Sequence, residues 1–168
     1  MDVGLLILRL LVGVLLAGHA FQKLTGSFGG GGLTGTGTMF DAWGHRPGKV
    51  MAAVAGLSEL TGAVSMVLGL LTPIGSVVVV GTMTVAALAL ADKGLWAVTG
   101  GCEVPLLYGI VATVLGFSGP GALSLDAAFG LEGFAGPGWG GIALALGIVA
   151  ALPVAVRAHR LRHRAPVS

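Results

Sequence analysis

Apolar residues fall into five nearly unbroken blocks, at residues 4–22, 50–71, 74–91, 104–117 and 141–156. The first three have the roughly 17–25 residues that a membrane-spanning helix needs. The last two are shorter and must borrow glycine or polar flanks to cross. In lipid every backbone N–H and C=O must pair within the chain, so blocks of this length form helices. The pattern predicts an all-α integral membrane protein with five spans.

The connections differ in kind. Residues 25–37 are glycine-rich and read as a flexible linker. They have no Gly-Lys-Ser/Thr ending and no flanking strand, so they make a poor phosphate cradle. Residues 38–46 read as a short interfacial helix with Phe40 and Trp43 toward the membrane. Thr72-Pro73 predicts a tight turn between two helices. Residues 118–140 hold four Gly-Pro or Pro-Gly steps together with Asp126 and Glu132. They read as an exposed loop with a short helix from Ser124 to Phe129. Small residues recur every four positions at Ala143, Gly147, Ala151 and Ala155, at Ala52 and Gly56, and at Ser58 and Gly62. Such rows let helices approach closely.

Composition agrees with a membrane class. The chain is 55% hydrophobic and 10% charged, with mean hydropathy +0.96 and 31 glycines in 168 residues. A soluble domain carries about 25% charged residues. A single cysteine, Cys102, excludes an internal disulfide and any cysteine-based iron–sulfur or metal site. It reads as an inert thiol beside the Glu103 carboxylate. The N-terminus has Asp2 and no basic stretch before its apolar run, so no cleaved signal peptide is expected.

Charge sets the expected topology. Five spans put residues 23–49, 92–103 and 157–168 on one side. That side carries Lys23, Arg46, Lys49, Lys93, Arg157, Arg160, Arg162 and Arg164, eight of the nine basic residues; the opposite loops carry none. The bias predicts a cytoplasmic C-terminus and an external N-terminus, and without the fifth span it would vanish. Arg157, Arg160, Arg162 and Arg164 are expected to anchor the C-terminus at an anionic lipid surface. No nucleic-acid motif accompanies them.

Four ionisable residues lie in or beside the apolar blocks: Arg9, His19, Glu59 and Glu103. Each costs about 2.5–3.5 kcal/mol in hydrocarbon even on insertion scales. His19 and Lys23 are four apart and share a helix face. Glu59 and Glu103 approach from the same side on other helices. His19, Lys23, Glu59 and Glu103 are therefore expected to converge, either as charge neutralisation that fixes helix register or as a ligand-binding pocket or proton relay. A metal site of one histidine and two glutamates is a third reading. One histidine cannot supply two axial ligands to haem, and neither haem nor an iron–sulfur cluster is expected. Arg9, about 15 Å from His19 along the helix, is expected to meet a backbone carbonyl, the outer loop or a lipid headgroup.

Several ordered motifs carry a family resemblance. They are Leu8-Arg9-Leu10 with Gly13, Gly18-His19-Ala20-Phe21-Gln22-Lys23-Leu24, Gly56-Leu57-Ser58-Glu59-Leu60-Thr61-Gly62, Gly69-Leu70-Leu71-Thr72-Pro73, Gly100-Gly101-Cys102-Glu103-Val104-Pro105 and Gly119-Pro120-Gly121 with Ser124-Leu125-Asp126. Over residues 4 to 130 the chain resembles the DoxX family of small bacterial membrane proteins. The resemblance implies a four-helix transmembrane bundle over residues 1–130. A loop and fifth C-terminal transmembrane helix over 131–156 and a basic cytoplasmic tail over 157–168 depart from that pattern. Related proteins include the small subunit of a thiosulfate:quinone oxidoreductase and components of oxidative-stress complexes with superoxide dismutase and a sulfurtransferase. The resemblance thus implies a component of a redox, sulfur or oxidative-stress system in the bacterial plasma membrane. No independent catalysis is expected of it, except as a subunit of a quinone-linked oxidoreductase, and a quinone is the candidate ligand. The alternatives are a scaffold that recruits soluble partners at the cytoplasmic face and a small-molecule transporter, though no inverted repeat is visible. The expected partners are the lipid bilayer, soluble redox proteins and, in a homo-oligomer, further copies of the chain.

Overall fold

The computed structural model describes residues 1–163, the side chain of Glu132 excepted. The described residues are helical with short connections and contain no strand. Five apolar helices build the bundle: α1 (Asp2–Leu24), α3 (Gly48–Leu68), α4 (Thr72–Leu90), α5 (Glu103–Ser118) and α7 (Pro137–His163). Two short helices, α2 (Gly32–Ala42) and α6 (Leu125–Ala128), lie at opposite ends. Four of the helices are long and apolar enough to cross a membrane. At 16 residues, α5 is about 24 Å long and falls short of a ~30 Å hydrocarbon core.

Helix ends follow local chemistry. Asp2 opens α1 and Lys23 closes it, each matched to the helix dipole. The α3 helix starts after Pro47, where the Asp41 carboxylate accepts a bond from Gly48 N–H at 2.7 Å. It stops at Gly69, whose left-handed backbone (φ 59°) suits glycine. Pro73 sits in the first turn of α4. Ser124 caps α6 by accepting from Ala127 N–H.

The helices pack in the order α1, α3, α4, with α5 and α7 both against α4 and each other. Small residues set the close contacts. A Cβ on Gly13 would lie 2.6 Å from Val67, and one on Gly62 would overlap Val79. The predicted row in α7 faces α4: Ala143 and Ala151 are buried, and a Cβ on Gly147 would meet Val80 at 2.8 Å. Leu16, Met66, Val79, Met83 and Leu115 form the core where α1, α3, α4 and α5 meet.

Several boundaries differ from the expectation. The glycine-rich stretch is not all linker, because α2 begins at Gly32. The α2 helix packs on α3 through Gly37 and Gly48, where a Cβ on either would collide with the other helix. That contact, invisible to local propensity, makes a glycine-rich segment helical. Phe40 and Trp43 stack on each other with centroids 5.8 Å apart and line an interhelical cavity. The last helix starts four residues earlier than its apolar block and runs through residues 157–163, so the basic tail continues α7. Arg164 lies outside the described residues.

The residue 118–136 connection is not simply exposed. Asp126 is buried, and its carboxylate accepts from Leu71 N–H, Thr72 N–H and the Thr72 hydroxyl at 2.7, 3.0 and 2.8 Å. It clasps the α3–α4 turn, where Leu71 holds a left-handed backbone (φ 50°).

Candidate functional site

The intramembrane charges separate into two places. Arg9 belongs to the end of the bundle opposite the basic cluster. It is buried, and its guanidinium donates to Pro120 O at 2.8 Å and Leu123 O at 2.6 Å. Asp2 accepts from Ala122 N–H in the same connection. Carbonyls of the α5–α7 connection are thus the partners of Arg9, one of the options its position allowed.

The other group lines an open-sided cavity of about 650 Å³ walled by α1, α2, α3, α4, α5 and α7. Lys23 Nζ lies 2.7 Å from Glu59 Oε2, with Glu59 buried and Lys23 about one-fifth exposed. His19, one turn before Lys23, presents its ring edge-on to Tyr108 at 5.5 Å between centroids. Its Nδ1 lies 3.1 Å from Gln22 Oε1. His19, Lys23, Glu59 and Tyr108 all face the cavity, whose remaining wall is mostly apolar. Close packing of α1 on α3 makes this possible: a Cβ on Gly56 would meet Leu24 at 2.7 Å, so the two backbones run near enough for a lysine to reach Glu59.

Glu103 does not join them. Its carboxylate accepts from Ala97 N–H at 2.8 Å and holds the turn that precedes α5. Among the described residues no three histidine, cysteine, aspartate or glutamate side chains gather with metal-binding geometry. The one-histidine, two-glutamate arrangement is therefore not assembled. Helix α5 starts at residue 103, so its first side chain serves the loop, and Tyr108, more than a turn deeper, reaches the cavity instead.

Two wall residues escaped the sequence reading. Tyr108 is the only tyrosine of the chain, and its rarity in an apolar block was the available signal. His45 lies between α2 and α3, is buried, and packs on Phe40 at 5.7 Å between ring centroids. Burial holds its pKa below the ordinary 6.5, and the nearby Arg157 adds to the effect.

The basic end is tied together by side chains. Arg157 donates to Arg46 O at 2.8 Å, Arg162 pairs with Asp92 at 2.6 Å, and Lys93 lies over the Trp43 ring at 5.7 Å. Arg157 and Arg162 therefore bind α7 to the loops, in addition to any lipid contact, while Arg160 is exposed.

A polar pair, an imidazole and a phenol at one part of an apolar cavity can hydrogen-bond the polar part of a small molecule while the walls bury the rest. A model of the DoxX family matches residues 4–92, from α1 through α4 and the turn that follows. The motifs around Glu103 and Asp126 lie beyond that match. No curated protein and no solved structure matches the chain. The matched region carries Arg9, His19, Lys23 and Glu59, covers more than half of the 168 residues, and identifies the chain as a multi-pass membrane protein that belongs to the DoxX family.

Proposed function

We propose that this protein is the membrane component of a redox or sulfur-linked system and binds a small, largely apolar molecule, such as a quinone, in the cavity beside Lys23 and Glu59. The observation that carries the reading is an ion pair between a buried Glu59 and a partly exposed Lys23, set in the wall of a 650 Å³ apolar cavity rather than sealed inside packed helices. A pair needed only for helix register gains nothing from open space beside it. His19 and Tyr108 add hydrogen-bonding groups at the same place. Chemistry on the bound molecule would belong to a partner, because the wall offers hydrogen bonds and no assembled nucleophile or metal set. The eight-to-none distribution of basic residues supports a cytoplasmic Arg157 end, with the protein in a bacterial plasma membrane.

The test is mass spectrometry of lipids extracted from gently solubilised protein, for wild type and Glu59→Gln. A co-purifying small molecule that is lost in Glu59→Gln with the fold intact supports the pocket. Equal retention in both proteins contradicts the role given to Glu59.

One feature favours a second reading, a scaffold for soluble partners. The α4–α5 connection presents Trp96 and Val98, 62% and 94% exposed, at the basic end. Bonds from the Thr99 hydroxyl to Lys93 O and Trp96 O hold that loop in shape. On this reading Trp96→Ser with Val98→Ser loses the partner, and Glu59→Gln does not.

A further inference from the structure

A second, smaller cavity of about 240 Å³ lies among α4, α5 and α7. Its walls are Val80, Leu106, Gly109, Ile110, Val114 and Ile148, with little polar surface. Thr84 and Thr113 line it too, and the Thr113 hydroxyl is turned to Gly109 O at 2.8 Å. Leu106, Ile110, Val114 and Ile148 are exposed on the outer surface of the bundle, which in a membrane faces lipid. Gly109 forms the floor: a Cβ there would meet only Met83 Cβ, at 3.6 Å.

Met83 and Pro105 line this groove and also line the large cavity. The boundary between the two spaces therefore includes one flexible thioether side chain and one proline ring. Methionine has three rotatable bonds and repacks at low cost, which makes it a poor permanent barrier. Pro105 sits in the first turn of α5, where it lacks the N–H that a wall residue would otherwise have to satisfy.

Resting on the pocket reading above, we infer that the ligand is a single-tailed amphiphile whose head lies against Lys23, Glu59, His19 and Tyr108 and whose chain leaves past Met83 and Pro105 into the α4–α5–α7 groove. The polar end of the cavity selects an uncharged head. The charge of Lys23 is already matched by Glu59 at 2.7 Å, so a phosphate would add an anion without a free counter-charge. The groove selects the tail: it is apolar, smaller than the main cavity and open on the lipid side. Such a ligand reaches the site sideways from the bilayer and keeps its chain partly in lipid throughout.

The experiment compares two probes on the full-length protein in nanodiscs: a decyl-substituted benzoquinone and the same benzoquinone without the chain. Each affinity is read as a ratio of variant to wild type, which cancels partitioning of the probe into lipid. Gly109→Leu fills the groove floor, and Val114→Trp covers the groove from the lipid side without touching the large cavity. The expected result is at least about a tenfold loss for the decyl probe in both variants, the worth of about two buried methylenes, with the chainless probe unchanged. Equal affinity of the decyl probe in wild type and both variants overturns the tail path and leaves the head site standing. A parallel loss of both probes in both variants overturns it as well, because the groove would then not act on the chain. If neither probe binds wild type while Glu59→Gln still loses its co-purifying molecule, the head site survives and the quinone-like tailed ligand does not.

Discussion

Lys23 ends α1 and Glu59 lies midway along α3, yet their charged atoms are 2.7 Å apart in the wall of the main cavity. Removing one partner strands the other in a low-dielectric setting, which typically costs about 3–5 kcal/mol. Glu59→Gln should therefore be tolerated better in a Lys23→Met background than in the native chain. A double-mutant cycle on stability in detergent reads the coupling directly. Additive effects would mean that the pair contributes nothing beyond its two separate side chains.

Asp126 gathers three donors from the α3–α4 turn. Asp126→Ala leaves them without their partner, at about 1–3 kcal/mol for each donor that water cannot reach. The variant should unfold at lower temperature and lose hydrogen-exchange protection at Leu71 and Thr72. Protection unchanged at those two amides would contradict the clasp. Gly69→Ala attacks the same corner, since its Cβ would collide with the Arg9 guanidinium and its backbone is left-handed. It should be at least as damaging.

His45 makes the basic end sensitive to acid. Burial first, and Arg157 second, hold its pKa below 6.5 in the folded protein, while the unfolded chain keeps the ordinary value. Above pH 6.5 both states are neutral at this residue and nothing is lost. As pH falls through 6.5 the unfolded state takes up a proton that the native state resists, so stability drops until the folded value is reached. His45→Gln should flatten that part of the stability–pH curve. A slope identical to wild type between neutral and mildly acid pH would count against the assignment.

Reporter fusions after residue 40 and after residue 168 should both read cytoplasmic. The distribution of basic residues favours it, and the bond from Arg157 to Arg46 O puts the two segments at the same end of the bundle. Opposite readings at the two points would rule out the five-span arrangement, and external readings at both would overturn the orientation.

The sequence alone was enough for the membrane class, the five apolar helices, the small-residue seams and the motifs of a DoxX protein. These follow from hydropathy and spacing, which act locally and are counted one segment at a time. It also singled out Arg9, His19, Lys23 and Glu59, because a charge in an apolar block is visible without knowing its partner. Tertiary structure decided who those partners are. Arg9 meets the carbonyls of Pro120 and Leu123, more than a hundred residues away. Glu103 looked equivalent to Glu59, but it opens α5 and its carboxylate is taken by Ala97 N–H, while Tyr108 from the next turn takes the place facing His19. Asp126 looked like a loop residue until the chain return set it against Leu71 and Thr72. The glycine-rich segment became a helix because Gly37 and Gly48 let α2 lie on α3. In each case the deciding quantity is the distance between residues far apart in the chain, set by how five helices pack, and no local pattern encodes it.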